Sequence, residues 1–366
     1  MEHEFTATIR EILNREYGKS ATVIFSASPL LNYLNIKTRA ASRGSKSRAS
    51  FGNLYALYVL VEDYIKGGFH NSGDYGQYEG AKFVQLFNRQ RELPFGGKLQ
   101  NHHMNTRLND EFKRLFPACG LEPISRDDQS GRYWLREGIL VVDLGTQKVN
   151  VACAVLRIID AYAAARASAF NMFVVDCDKL RNLSQGQLYQ AEEFIRALLS
   201  PNVDARIFEI VSYSILKHFY AEQSVYWGWS YATIKKDALA LYKTGRTNAN
   251  DGGIDFVMKP LGRFFQVTET IDSRKYFLDI DKVQRFPITF VVKSNEPIEA
   301  IRDKIKMQAM RQYGVEKIVR RYMEAIEEII NVPDLLAKFA EVGKAGKLSD
   351  VISEIVLQSR VEFNYD

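Results

Sequence analysis

A carboxylate set inside a short apolar strand narrows the ways a chain can fold, because a buried acid is costly unless a partner or a metal satisfies it. This chain carries one in the stretch GRTNANDGGIDFVMKPLGRFFQVTET, residues 245–270. Asp251-Gly252-Gly253 reads as a turn into a strand, Ile254-Asp255-Phe256-Val257, over about 253–258. Pro260 to Gly262 then forms a tight turn, and a second strand returns over 263–269. On that strand alternation turns Gln266 and Thr268 one way and Phe265, Val267 and Glu269 the other. Asp255, Gln266 and Thr268 are thereby expected to converge on one site. A carboxylate with an amide carbonyl beside it is a hard-oxygen set suited to Mg²⁺.

The surrounding pattern alternates helix and strand. Helices are expected at 184–199, 201–221, 231–242 and 276–285, with strands near 225–229 and at 287–293. Everything from Glu296 onward reads as charged helix. The first half is mostly helical, with two short strands around a turn at Asp127 to Gly131. With 366 residues the chain has room for two domains, drawn here as 1–183 and 184–366.

Charge is uneven along the chain. The net charge is only +5, yet no Asp or Glu falls between Tyr17 and Val61, where Lys37, Arg39, Arg43, Lys46 and Arg48 cluster among Ser, Ala and Gly. Small side chains and unopposed cations make a phosphate-contacting surface. Arg132 and Arg136, on the hairpin that follows a polar helix at 98–116, are candidates to meet a guanine edge.

Several classes are disfavoured. Cys119, Cys153 and Cys177 have no metal-ligand spacing and suit buried thiols in a reducing compartment. The acidic start MEHEFTATIREIL has no secretory h-region. The apolar tract 149–176 is interrupted by Arg157, Asp160 and Arg166, which predicts a buried amphipathic helix with no membrane role. Asn101-His102-His103, Asn105 and Asn109 crowd one helix, unlike an HNH site, and Gly96-Gly97-Lys98 lacks the spacing of a phosphate loop. The expected setting is the cytoplasm.

Gly252-Gly253-Ile254-Asp255 followed by Phe265-Gln266-Val267-Thr268 resembles the acid, hairpin and (D/E/Q)xK signature of the PD-(D/E)XK nucleases, and most closely type II restriction endonucleases. The resemblance covers about a quarter of the chain. It implies a mixed α/β fold with a central sheet flanked by helices, preceded by a mostly helical DNA-recognition domain. It also implies Mg²⁺-dependent cleavage of double-stranded DNA by a homodimer, with a companion DNA methyltransferase. In that family a preceding helix often supplies a further acid, here Glu209, so that Asp255, Gln266 and Glu209 become the metal set. Where the family usually carries a catalytic lysine this chain has Thr268. Lys259, Lys275 and Glu269 are the groups near enough in sequence to replace it.

Overall fold

The structure, a computed structural model, describes residues 2–40, 47–72, 77–97, 99–145, 147–181, 188–201, 203–244 and 254–363. It is a mixed α/β protein in two compact units, residues 1–173 with 360–366, and residues 174–359. The division falls inside a long helix, upstream of the boundary drawn near Leu183 from sequence.

In the first unit α1 (Glu4–Tyr17), α2 (Ala21–Ala27) and α3 (Pro29–Lys37) lead into α4 (Ser47–Lys66), whose residues from Phe51 to Leu60 are all buried. A short α5 (Phe69–Ser72) precedes β1 (Ala81–Lys82), α6 (Phe83–Glu92) and α7 (Leu108–Leu115). A π-helical turn at His103–Arg107 feeds α7. The expected hairpin is present as β2 (Ile124–Asp127) and β3 (Arg132–Leu135), in a sheet ordered β1-β3-β2. After α8 (Glu137–Leu140) come the paired strands β4 (Val141–Asp143) and β5 (Lys148–Asn150), then α9 (Ala152–Arg181).

The first turns of α9 join the core through Val155, Ile158, Ile159 and Tyr162, but Met172 and Val175 are exposed. Only 28% of its most apolar stretch is buried, which corrects the expectation of a buried helix. By length and composition this helix is also long and apolar enough to cross a bilayer.

The second unit opens with α10 (Leu188–Leu198) and α11 (Ala205–Ala221), the latter capped by Asp204, whose side chain accepts from the Arg206 N–H at 2.7 Å. The expected helix at 231–242 is instead strand. β6 (Ser224–Trp227) and β7 (Lys235–Ala238) form an antiparallel hairpin, and β8 (Ala240–Lys243) follows at once. Pairing of β8 along β9 (Phe256–Lys259) overrides the helix propensity of its Ala, Leu and Lys residues. The hairpin continues into β10 (Arg263–Thr268), and α12 (Ser273–Lys282) crosses over to β11 (Ile288–Val292). β11 is buried at every position, as a central strand covered on both faces must be. α13 (Ile298–Tyr313) and α14 (Glu316–Glu324) then return to β12 (Ile326–Ile330), a strand where sequence predicted only helix. α15 (Val332–Lys344) and α16 (Leu348–Phe363) complete the chain.

The resulting sheet runs β12-β11-β10-β9-β8. β8, β9 and β10 are antiparallel neighbours, whereas β10, β11 and β12 are parallel.

Candidate active site

Asp255 stands at the mouth of β9, one residue earlier than the strand proper, and its backbone already belongs to the sheet. Its N–H donates to the Phe265 carbonyl and its carbonyl accepts from the Thr244 N–H, both at 3.0 Å. One carboxylate oxygen accepts from the Val267 N–H at 2.7 Å. The side chain is therefore fixed against the returning strand between Gln266 and Thr268, the two residues singled out from alternation.

Glu209 joins this group from α11. Its carboxylate is buried and bound by two cations, Lys243 of β8 at 3.0 Å and Arg206 one turn earlier on the helix. Burial, and after it the neighbouring Glu209 carboxylate, pushes Asp255 up to about 7, against the Val267 N–H and the Arg206 and Lys275 charges. The same like-charge crowding that raises a pKa would be relieved by a bound cation.

Gln266 is buried, and its side-chain oxygen has no hydrogen-bond partner among the described residues. An orphaned buried acceptor is costly in a finished core and is usual where a ligand or water completes the site. Thr268 is also buried, and its hydroxyl accepts from the Lys275 ammonium at 3.2 Å. Lys275 stands in the first turn of α12, a helix capped by Asp272. That turn brings an ammonium back over the position where a lysine was expected. The other replacements lie elsewhere. Lys259 sits at the far end of β9, 4.7 Å over the Tyr242 ring, and Glu269 is turned to Lys293 at 2.8 Å. Arg263, at the start of β10, is bound to Glu327, Glu328 and the Thr289 hydroxyl.

Lys293 was not legible as part of this region. Its side chain is 3% exposed, with the ammonium donating to Glu269 and to the Val203 carbonyl just ahead of α11. Its own N–H donates to the Thr268 carbonyl at 2.9 Å. Lys293 thus clamps the end of β10 to the start of the helix that carries Arg206 and Glu209.

As a metal centre the site offers two carboxylates and one amide oxygen, and no group of three or more His, Cys, Asp or Glu is clustered among the described residues. Mg²⁺ typically takes only one or two carboxylates and keeps several waters, so this donor set fits it. With Glu209 already held by two cations, Asp255 and the orphaned Gln266 oxygen would be the direct donors to such a cation, with Glu209 outside them.

The N-terminal cations are distributed differently from the sequence expectation. Lys37 is tied to Glu111 at 2.9 Å, and Glu111 also accepts from the Tyr33 hydroxyl and from Asn53. Asn53 in turn accepts from His103 Nδ1 at 2.7 Å. Burial holds the His103 imidazole down at about 3, so it stays neutral in this network. Lys37 is therefore a structural cation here, with its charge already matched by an acid. Arg39 is exposed, Arg43 and Lys46 lie outside the described residues, and Arg48 falls on α4 with its side chain outside them. Arg132 donates to the Gly80 carbonyl at 2.6 Å and borders a cleft of about 440 Å³ with Tyr78, Glu79, Asp127, Ser130 and Trp134. Arg136 is exposed and donates to the Ser125 hydroxyl at 2.8 Å. Asn109 is occupied in bonding both backbone groups of Ile124.

No family model matches the chain, and no curated protein or solved structure matches it.

The raised Asp255 has a consequence for stability. A carboxyl that titrates near 3.8 unfolded and about 7 folded stabilises fully only below the lower value, and that contribution is lost as pH rises through the upper one. The loss amounts to about 4 kcal/mol in metal-free protein. Asp255→Asn should therefore melt increasingly above wild type as pH is raised from about 5 to 8 in EDTA. Melting curves that keep a constant gap across that range would show that Asp255 ionises without penalty.

Proposed function

We propose that this protein is an Mg²⁺-dependent endonuclease of the PD-(D/E)XK type that cleaves double-stranded DNA, most closely a type II restriction enzyme. The observation that carries the reading is the gathering, on one mixed sheet, of Asp255 at the start of β9, Gln266 and Thr268 on β10, and a lysine that reaches Thr268 from α12. The order of elements, α11, β8, β9, β10, α12, β11, with an acid on α11, supports the same reading.

In this reading Asp255 and the Gln266 oxygen would hold the metal, and the chemistry it would supply is Lewis-acid activation of water and charge neutralisation at a phosphate. Lys275, steadied by Thr268, donates to the phosphate oxygens and stabilises the negative charge that develops during in-line attack. Burial and then Glu209 raise Asp255, so binding of a cation would be coupled to its ionisation and would release a proton below about pH 7. Arg206 and Lys243 hold the Glu209 carboxylate in place. DNA recognition is assigned to the first unit, through Arg39, Arg132 and Arg136 with Arg43, Lys46 and Arg48. A homodimer acting on a roughly palindromic site in the cytoplasm, with a methyltransferase protecting host DNA, completes the proposal.

Incubation of purified protein with unmodified plasmid and phage DNA, in Mg²⁺ and in EDTA, tests the function. Discrete fragments that require Mg²⁺ are expected, with ends that sequencing resolves to one short site. Cutting only of modified DNA would move the protein to another nuclease role. Salt-sensitive binding without any cutting would leave a non-catalytic DNA-binding protein.

A further inference from the structure

The hairpin of β6 and β7 displays an aromatic surface that the cleavage chemistry does not use. Tyr226 is 73% exposed, Trp229 92% and Tyr231 97%, and Ile234 is half exposed beside them. Scattered exposed rings are ordinary, but Trp229 and Tyr231 stand two residues apart on the loop of one ribbon, with Tyr226 exposed on the strand beside it. The patch is also rigid. Trp227 meets Trp229 edge to face at 6.1 Å and donates from its indole N–H to Asp237 at 3.2 Å. The connecting loop is closed by Ser230, whose N–H donates to the Thr233 hydroxyl at 2.9 Å while its carbonyl accepts from the Thr233 N–H at 3.0 Å. Gly228 lets the loop fold back so tightly that a Cβ there would lie 2.6 Å from the Thr233 carbonyl. The rings are held out to solvent by structure, with little ordering left to be done on binding.

Cations alternate with the rings. Lys235 faces Trp227 across the ladder, its ammonium 5.2 Å from the ring centroid. Lys236 faces Tyr226 and forms no ion pair among the described residues. Asp237 is the one acid between residues 224 and 238, and it is bound to the Trp227 indole N–H and to Lys235. Flat rings flanked by lysines match the two surfaces of a nucleic acid, base faces and phosphates. A second copy fits poorly, because a two-fold contact through this patch would set the lysine pair against its equivalent.

We propose that this ribbon is a DNA contact in which Trp229 and Tyr231 stack on or wedge between nucleobases while Lys235 and Lys236 meet the flanking phosphates. A two-stranded ribbon is of the right width for the major groove, and apolar wedges commonly unstack a base step. The ribbon leaves the end of α11 about 18 Å from Glu209, roughly five base-pair steps of duplex, so one bound DNA is long enough to span both. This inference rests on DNA being the substrate and adds where, and by what chemistry, it is gripped.

The test is equilibrium binding in EDTA of a fluorescein-labelled duplex oligonucleotide and of its single strand, measured by anisotropy over a range of salt. The double variant Trp229→Ser, Tyr231→Ser should bind about ten- to a hundredfold more weakly to at least one form. Lys235→Gln with Lys236→Gln should shallow the duplex salt slope by about 2. Both sets lie outside the core, and unchanged circular dichroism will show that they fold. Wild-type affinity and salt slope in both variants overturn the proposal, as does wild-type protein that binds neither DNA. Loss of dimer in sedimentation, or capture by phosphatidylserine vesicles, with DNA binding intact, overturns it in favour of a second copy or a lipid surface. Cleavage that persists while the variants bind normally discards the ribbon alone. Variants that weaken binding of a protein that never cuts discard only the nuclease reading.

Discussion

Asp255→Ala is expected to lower Mg²⁺-dependent cleavage by at least about a thousandfold while leaving DNA binding in EDTA within a fewfold of wild type. The expectation follows from how the side chain is held. Its carboxylate is pinned by the Val267 N–H at 2.7 Å, faces the orphaned Gln266 acceptor's strand, and is crowded by Glu209, and no other acid among the described residues of the site is left free to substitute for it. Glu209 is neutralised by Lys243 and Arg206, and Glu269 by Lys293. The pH profile of the wild type should rise across roughly pH 6 to 8, because Asp255 must lose its proton to act as a ligand. Cleavage by the alanine variant at more than about a tenth of the wild-type rate would move the metal site elsewhere.

The second large effect belongs to Lys275. Lys275→Met should reduce cleavage by about a hundred- to a thousandfold, the usual scale for removing one donor from a charge-stabilising set. A lysine that only props up α12 would be rescued by any long apolar side chain, whereas an active ammonium is not. Two readouts separate these cases. Lys275 lowers Asp255, so the methionine variant should shift the rising limb of the pH profile upward. Moving the charge to the strand, by Thr268→Lys in the Lys275→Met background, should restore part of the activity. An unchanged profile and no rescue would make Lys275 a packing residue.

The hairpin that frames the site was readable because its signals are local. A turn-forming Pro-Leu-Gly between two apolar runs fixes the register, and alternation then assigns the faces. β11 was equally plain, as a continuous apolar run between turn residues. β8 and β12 were misread as helix. Ala240-Leu241-Tyr242-Lys243 and Ile326-Glu327-Glu328-Ile329-Ile330 have the composition of helix, and what makes them strands is a neighbour far away in sequence. The lysine posed the same difficulty. Nothing in the spacing between Gln266 and Lys275 says that α12 turns back over the end of β10. Nor does any local pattern mark Lys37 as the partner of Glu111, which lies 74 residues downstream. The basic window reads as uniform in sequence because Glu111, the acid that pairs Lys37, comes from α7.

The clamp formed by Lys293 also orders events in time. Its ammonium reaches Val203, 90 residues earlier, so closing that contact means closing a long loop, which is slow relative to local helix formation. Glu209, Asp255, Gln266 and Lys275 all precede it in the chain, and the strand edge that carries Gln266 and Thr268 is covered only when β11 pairs with β10. A nascent polypeptide that has emerged only through α12 holds every group of the proposed site on a sheet whose edge is still open. Under the proposed function, activity is expected only once the strand that contributes no chemistry of its own has been made.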